Sequence, residues 1–407
     1  MNSFDEELNQ RLVALREQNL FRELRRVDSA QGSRIEIGGK TFLNFSSNDY
    51  LGLANHPALK AAAIKAVEKF GAGAGASRLI CGSLAPFHEL EETLAAFKGT
   101  EAALTFSTGY AAALGIITAL TGKDDVIILD KLVHASIVDA AKLSGAKLRI
   151  FAHNDVNDLE DKLRWSSSWS SSFSLSPNTL KRELQPRTLI VTESIFSMDG
   201  DIAPLREIVA LKEKYGAWLM VDEAHATGIL GQHGRGLADE LGVSSQIEIQ
   251  MGTLGKALGA SGGYICGRRA LIDFLVNRAR SFIFSTAPVP AAAAAATAGI
   301  KLIQSEAGEN LRAQLRQRIA NFKSAIGNRQ SAIPSAIIPL IIGDETAALA
   351  AANKLREQNI FVPAIRYPTV ARGAARLRIT LTAAHSAEDV TTLCSALTHH
   401  LSLITPP

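Results

Sequence analysis

Lys256 sits in the run Gly252-Thr253-Leu254-Gly255-Lys256-Ala257-Leu258-Gly259. Upstream, the apolar stretch Trp218-Leu219-Met220-Val221 ends in Asp222-Glu223-Ala224-His225. An acid closing a buried strand, a histidine three residues on and a later lysine among glycines have a common chemical use. The lysine amine can form a Schiff base with an aldehyde, and the carboxylate can keep a pyridine nitrogen protonated so that the ring accepts electrons. Thr253 can hold a phosphate oxygen, and the glycines let the backbone approach a flat ring. Together these residues describe a site for pyridoxal 5'-phosphate (PLP), with carbanion chemistry on an amino acid as the expected reaction class. Taken alone, a glycine-flanked lysine is more often an exposed turn residue.

Other constellations point the same way. Ser107-Thr108-Gly109-Tyr110 follows a short apolar strand and opens an alanine-rich helical run, so its backbone N–H groups can bind a phosphate at the positive end of the helix. His134 follows soon after a strand ending at Asp130, and its imidazole can stack on a cofactor ring and reach a substrate carboxylate. His225, and Ser197 in Phe196-Ser197-Met198-Asp199-Gly200-Asp201, suit the ring's phenolic oxygen. Arg376-Leu377-Arg378 places two arginines on one face of a strand. A guanidinium there can hold a carboxylate through two parallel hydrogen bonds, or the pair can be surface charges at a sheet edge.

Asp222-Glu223-Ala224-His225 also spells a motif of a class of helicases. Such an enzyme needs a phosphate loop of the form G-x-x-x-x-G-K-[ST]. At Gly255-Lys256 the first glycine falls on Gln250 and the hydroxyl residue on Ala257, and Gly39-Lys40 and Gly122-Lys123 fail as well. A net charge of +3 gives no basic excess to attract nucleic acid.

The elements that must position these residues follow from periodicity. The chain has 407 residues, 47% hydrophobic and 20% charged, which fits a globular protein of more than one domain. Leu8, Leu12, Leu15, Leu20 and Leu24 predict an amphipathic helix from about Phe4 to Arg26, followed by a hairpin of Arg34–Ile37 and Thr41–Leu43. Beyond Pro57, helical patterns alternate with strands at 102–104, 126–129, 148–151, 189–192 and 218–221, which argues for a mostly parallel sheet covered by helices. Ligands collect at the carboxyl ends of such strands. Residues 289–304 read as a long helical connector into a second domain with strands at 337–342 and 377–381. The serine-rich tract Trp165 to Pro177 reads as a mobile surface loop. The expected division is an N-terminal segment 1–50, a large PLP-binding domain 51–288 and a smaller α+β domain 289–407.

Cys81, Cys266 and Cys394 lack metal-ligand spacing, so no metal site is expected and free thiols in a reducing compartment are. The N-terminus lacks the basic-then-apolar order of a secretory signal, and no window reaches the ~18 apolar residues of a membrane span. A cytoplasmic protein without membrane or nucleic-acid partners is the expectation.

Taken together, the chain resembles the α-oxoamine synthases, fold-type I PLP enzymes that join an amino acid to an acyl thioester and release CO2. The resemblance runs from Asn44-Phe45-Ser46-Ser47-Asn48-Asp49-Tyr50-Leu51-Gly52-Leu53 through His88-Glu89-Leu90-Glu91-Glu92 and the Ser197, Asp222 and Lys256 motifs to Arg376-Leu377-Arg378 and Ala383-Ala384-His385. It implies an α/β transferase whose catalytic residues are Lys256, His134 and Asp222. Lys256 would carry the cofactor and move the Cα proton, Asp222 would pair with the ring nitrogen, and His134 would stack on the ring. His225 and Ser197 would meet the ring oxygen. Gly109, Tyr110 and Thr253 would hold the cofactor's lower edge. A homodimer is implied, with Thr286 of the partner subunit reaching the phosphate. Arg378 would bind the amino-acid carboxylate, and Arg25 and Thr369 the acyl substrate, His134 also touching substrate. The stretches Phe151-Ala152-His153-Asn154-Asp155-Val156 and Ala364-Ile365-Arg366 with Pro368-Thr369-Val370 imply L-alanine and a pimeloyl thioester of coenzyme A or acyl carrier protein. A glycine-using relative is the alternative. Ala113 departs from the asparagine many relatives carry there, while Tyr367 and Arg372 depart near the expected acyl entrance.

Overall fold

The computed structural model describes residues 3–173, 186–326 and 335–401. Its strands, in chain order, are β1 (Arg34–Ile37), β2 (Lys40–Asn44), β3 (Ala102–Phe106), β4 (Val126–Asp130), β5 (Lys147–Phe151), β6 (Thr188–Glu193), β7 (Trp218–Asp222), β8 (Ile249–Thr253), β9 (Gly263–Gly267), β10 (Ile337–Gly343), β11 (Ile360–Phe361), β12 (Ala364–Ile365) and β13 (Ala375–Thr380). The chain forms two compact units. One comprises Leu53–Ser197 and Asp201–Arg312; the other comprises Met1–Gly52, Met198–Gly200 and Ala313–Pro407.

The first unit is built on a seven-stranded sheet of order β3-β9-β8-β7-β6-β4-β5. β5, β4, β6, β7 and β8 pair in parallel, and β9 runs antiparallel to both β8 and β3. Strands covered on both faces read as continuous apolar runs rather than alternating ones, and β4 and β6 through β8 are buried along nearly their whole length. The alanine-rich helix Pro290–Ile303 belongs to this unit, packed against the helices Pro57–Phe70 and Ala85–Lys98. Gly299 lets that helix lie close to the carbonyl of Leu258: a Cβ at Gly299 would stand 2.4 Å from that oxygen. The turn after Lys256 is thereby packed in place.

Two expectations fail here. The serine-rich tract is not a loop over its first part, because the helix Val156–Phe173 runs through Trp165 and its serines; residues 174–177 lie outside the described ones. Ser167 and Ser168 donate to the carbonyls of Leu163 and Trp165, Ser166 is buried against the hydroxyl of Thr188, and Arg149 stacks on Trp165 at 3.8 Å. The N-terminal helix spans Ser3–Glu17 and stops well short of Arg26. Asn19 takes a left-handed conformation, φ 56°, and Arg366 grips the carbonyls of Asn19 and Phe21. Long-range capture of the backbone overrides the leucine spacing, and Leu24 is left fully exposed.

The second unit holds two three-stranded sheets, β1-β2-β11 and β10-β13-β12. β13 is the central strand of its sheet, so Arg376 and Arg378 are 6% and 7% exposed and are not edge charges.

Candidate active site

Four adjacent parallel strands, β8, β7, β6 and β4, deliver functional groups at their carboxyl ends. β8 ends at Thr253, and the following turn carries Lys256. β7 ends at Asp222, with His225 in its turn. β6 ends at Glu193, followed by Ser197, and β4 ends at Asp130, followed by His134. Parallel pairing fixes this clustering, because every strand leaves the sheet at the same edge.

Lys256 Nζ lies 2.8 Å from His225 Nε2. Asp222 is buried and accepts the N–H of Ala224 at 2.9 Å. Burial raises its carboxyl above the ordinary range, against the opposing pull of Lys256, the Ala224 N–H and His134. His134 caps the helix Ala135–Ser144, its Nδ1 accepting the N–H of Ser136 at 3.2 Å. Burial lowers its pKa, outweighing the charge of Asp222, while Lys256 lowers it further. A neutral ring with one nitrogen committed to the cap presents a fixed face, which suits stacking.

Thr253 Oγ1 is buried and has no hydrogen-bond partner among the described residues. Beside it the helix Gly109–Leu120 begins, capped by Thr108, whose hydroxyl accepts the N–H of Ala111 at 3.0 Å. A Cβ at Gly109 would come within 2.5 Å of Thr253 Cγ2, so only glycine permits this approach. An unpartnered hydroxyl against a helix N-terminus is the donor set a phosphate requires. The residues present therefore fit a phosphorylated, ring-bearing cofactor. The side chain of Tyr110 turns away and donates to Asp139 at 2.8 Å, leaving its backbone N–H at the helix start. Ala113 is fully buried in the apolar core of this unit.

Sequence reasoning missed Glu193. Its carboxyl is wholly buried next to Asp222 across the β6–β7 pairing. Burial first, then Asp222, holds its pKa well above the ordinary carboxylate range. The backbone N–H groups of His134 and Ser197 donate to it, and Oε1 is left without a partner. Its position as the last residue of a strand in this sheet was the available signal.

Thr286 is exposed, bridged through its backbone to Ser77. In the other unit, Arg376 is held by Asp199 at 2.6 Å and by the carbonyls of Met198 and Ala374, whereas Arg378 donates to the hydroxyl of Thr380 at 2.9 Å. Thr369 is exposed and donates its N–H to the Arg366 carbonyl. Arg25 lines a cavity of about 400 Å³ together with Arg22, Arg356 and Arg366, with its guanidinium 5.8 Å from the Phe361 ring.

Residues 40–397 match the family described as aminotransferase class I and II. The 8-amino-7-oxononanoate synthase of Geotalea daltonii is 48% identical over 402 residues, covering 98% of each chain. Among solved structures, a serine palmitoyltransferase from S. paucimobilis with bound PLP and myriocin superposes with a TM-score of 0.88 at 29% identity, covering 99% of this chain and 98% of that one. An 8-amino-7-oxononanoate synthase from Francisella tularensis superposes with a TM-score of 0.73 at 29% identity over 89% and 98%.

Proposed function

The chain belongs to the aminotransferase class I and II family, and from that premise we propose that it is a PLP-dependent acyltransferase with the activity for which its 8-amino-7-oxononanoate synthase relatives are named. L-alanine and a pimeloyl thioester condense with loss of CO2 and of the carrier thiol, a step of biotin biosynthesis. The observation that carries this reading is the meeting of Lys256, His225, Asp222 and the unpartnered Thr253 hydroxyl at the ends of adjacent strands.

When bound, PLP supplies the electron sink for a carbanion at the amino-acid Cα. The chain's own residues do the rest. Asp222, whose carboxyl is destabilised as an anion by burial, favours a cationic ring N–H beside it. His225 and Ser197 hold the ring's phenolic edge, and His134, neutral and capped, packs on its face. Thr253 and the N–H groups at Gly109 and Tyr110 hold the phosphate, assisted by Thr286 of the partner subunit in a homodimer. Lys256, in contact with His225, takes the Cα proton and returns it. Arg378 holds the alanine carboxylate so that the Cα–H bond is correctly aimed, while Arg376 is engaged by Asp199. Arg25 and Thr369 meet the acyl thioester. Three free cysteines fit the cytoplasm, and no described helix is long and apolar enough to cross a membrane.

The test is a substrate panel of alanine, glycine and serine against acetyl-, succinyl-, pimeloyl- and palmitoyl-CoA, together with pimeloyl-acyl carrier protein, scored by release of the carrier thiol. Alanine with a pimeloyl thioester is expected to be best, with glycine slower. If glycine with acetyl-CoA wins by more than about tenfold, ~1.4 kcal/mol, the chain is instead a 2-amino-3-ketobutyrate ligase; if glycine with succinyl-CoA does, it is a 5-aminolevulinate synthase.

A further inference from the structure

His153 stands where three loops beside this site come together, and no step above uses it. Its Nδ1 lies 2.9 Å from Asp130 Oδ1 at the end of β4, and its Nε2 lies 2.7 Å from Asp201 Oδ2 in the loop after β6. Its ring packs perpendicular to Phe196, centroids 4.4 Å apart. The next residue repeats both attachments. Asn154, at φ 56°, donates its N–H to Asp130 Oδ2 at 2.9 Å and its side-chain amide to Asp201 Oδ2 at 2.9 Å and to the Ile202 carbonyl at 3.1 Å.

These contacts lead to the site on both sides. Asp130 Oδ1 also accepts the N–H of Leu132 at 2.8 Å, at the start of the turn that ends in His134. On the other side, Phe196 donates its N–H to the Asp201 carbonyl at 3.0 Å, and Ile195 bridges to Ile202, closing the loop that carries Ser197. A neutral imidazole has one N–H and could satisfy one carboxylate; only the doubly protonated ring donates to both. The charged groups that meet the ring are Asp130 and Asp201. Burial works against the charged form, but the two carboxylate hydrogen bonds outweigh it and raise the pKa to about 10.

We infer that His153 is a positioning residue: by bridging Asp130 and Asp201 it fixes the His134 turn against the Ser197 loop, and so sets the spacing of the groups that grip the cofactor on its ring face and its phenolic edge. This rests on the PLP reading above. It differs from a purely structural role, because loosening the bridge changes the cofactor's surroundings in protein that is still folded and loaded.

The test uses the PLP-loaded enzyme. Nitrogen NMR of labelled histidine should show the His153 ring protonated on both nitrogens until about pH 10; a ring that titrates in the ordinary imidazole range removes the bridge and the proposal. In His153→Gln and Asp201→Asn, PLP should still bind, while the pH midpoint of the bound cofactor's visible absorption moves by about one unit, the scale of a lost charge-assisted hydrogen bond. Asp201→Asn keeps both His153 and Asp130, and decides the matter if His153→Gln does not fold. Variants that melt earlier but keep the wild-type midpoint show a structural role and overturn the proposal alone. A wild type that binds no PLP overturns the cofactor reading and this proposal with it.

Discussion

The carboxyl ends of β4, β6, β7 and β8 and the segment Asn19–Arg26 with its Arg366 anchor are two ways of placing charged groups. At the strand ends, Asp222 and Glu193 are buried, and burial shifts the titration of both. The sheet fixes their spacing, and burial makes a charge there both costlier to form and stronger in its effect on its neighbours. In the second region, Arg22 and Arg25 are exposed beside an open cavity, and the chain is tied down by guanidinium-to-carbonyl bonds. Charges there are hydrated and screened, so they steer and select more than they catalyse. Substitutions in the two regions should therefore differ in size and in kind.

The largest effect is expected at Lys256. Lys256→Ala should lower turnover by more than ~10³-fold while the fold survives, because it removes the group proposed to move the Cα proton. Circular dichroism together with turnover separates the two. Next comes Asp222→Asn, for which a loss of order ~10²–10³-fold is expected on removing one preorganised electrostatic partner; near-normal turnover would show that Asp222 is not the ring partner. Arg378→Lys should raise the alanine KM through loss of a bidentate contact worth roughly 1.5–3 kcal/mol. Arg376→Lys, its control, should disturb the Asp199 pair and lower Tm with the alanine KM unchanged. If the two variants exchange phenotypes, the carboxylate belongs to Arg376.

Smaller effects belong to the exposed region and to pH. Arg25→Gln should raise the acyl-thioester KM only a few-fold, about the ~0.2–1 kcal/mol of an exposed charge contact, and the difference should fade at high salt. A salt-independent loss of more than ~100-fold would mean that this arginine is buried against the substrate and that the contrast between the regions is false. His153 gives a pH signature. Its folded pKa is raised to about 10 from the ordinary 6.5, so its stabilising contribution is complete below the unfolded value and is lost as pH rises through about 10. Melting temperatures of the wild type should fall across that window by more than those of Asp201→Asn, in which one of the two carboxylates that raise it is gone.

The contrast also explains what the sequence could reveal. Asp222 was legible because an apolar run followed by a polar residue marks a strand end, and Thr253 and Lys256 because they stand among glycines downstream of it. Arg376 and Arg378 were legible as a pair, but their burial was not, since it depends on β13 lying between β10 and β12. Glu193 offered only its place at a strand end; its burial beside Asp222 depends on a pairing with another strand. The serine helix and the early stop at Glu17 were misread for the same reason. Ser166 needs Thr188, and Asn19 needs Arg366, each partner supplied from far along the chain.

The central claim, that Lys256 among these strand ends is the residue to which PLP attaches, is open to one direct measurement. The protein is incubated with PLP, reduced with borohydride, digested and mapped by mass spectrometry. The expected result is stoichiometric labelling of Lys256 and none of the other lysines, with the label lost in Lys256→Ala. A protein that takes up no label, or carries it on scattered exposed lysines in proportion to their accessibility, would contradict the account.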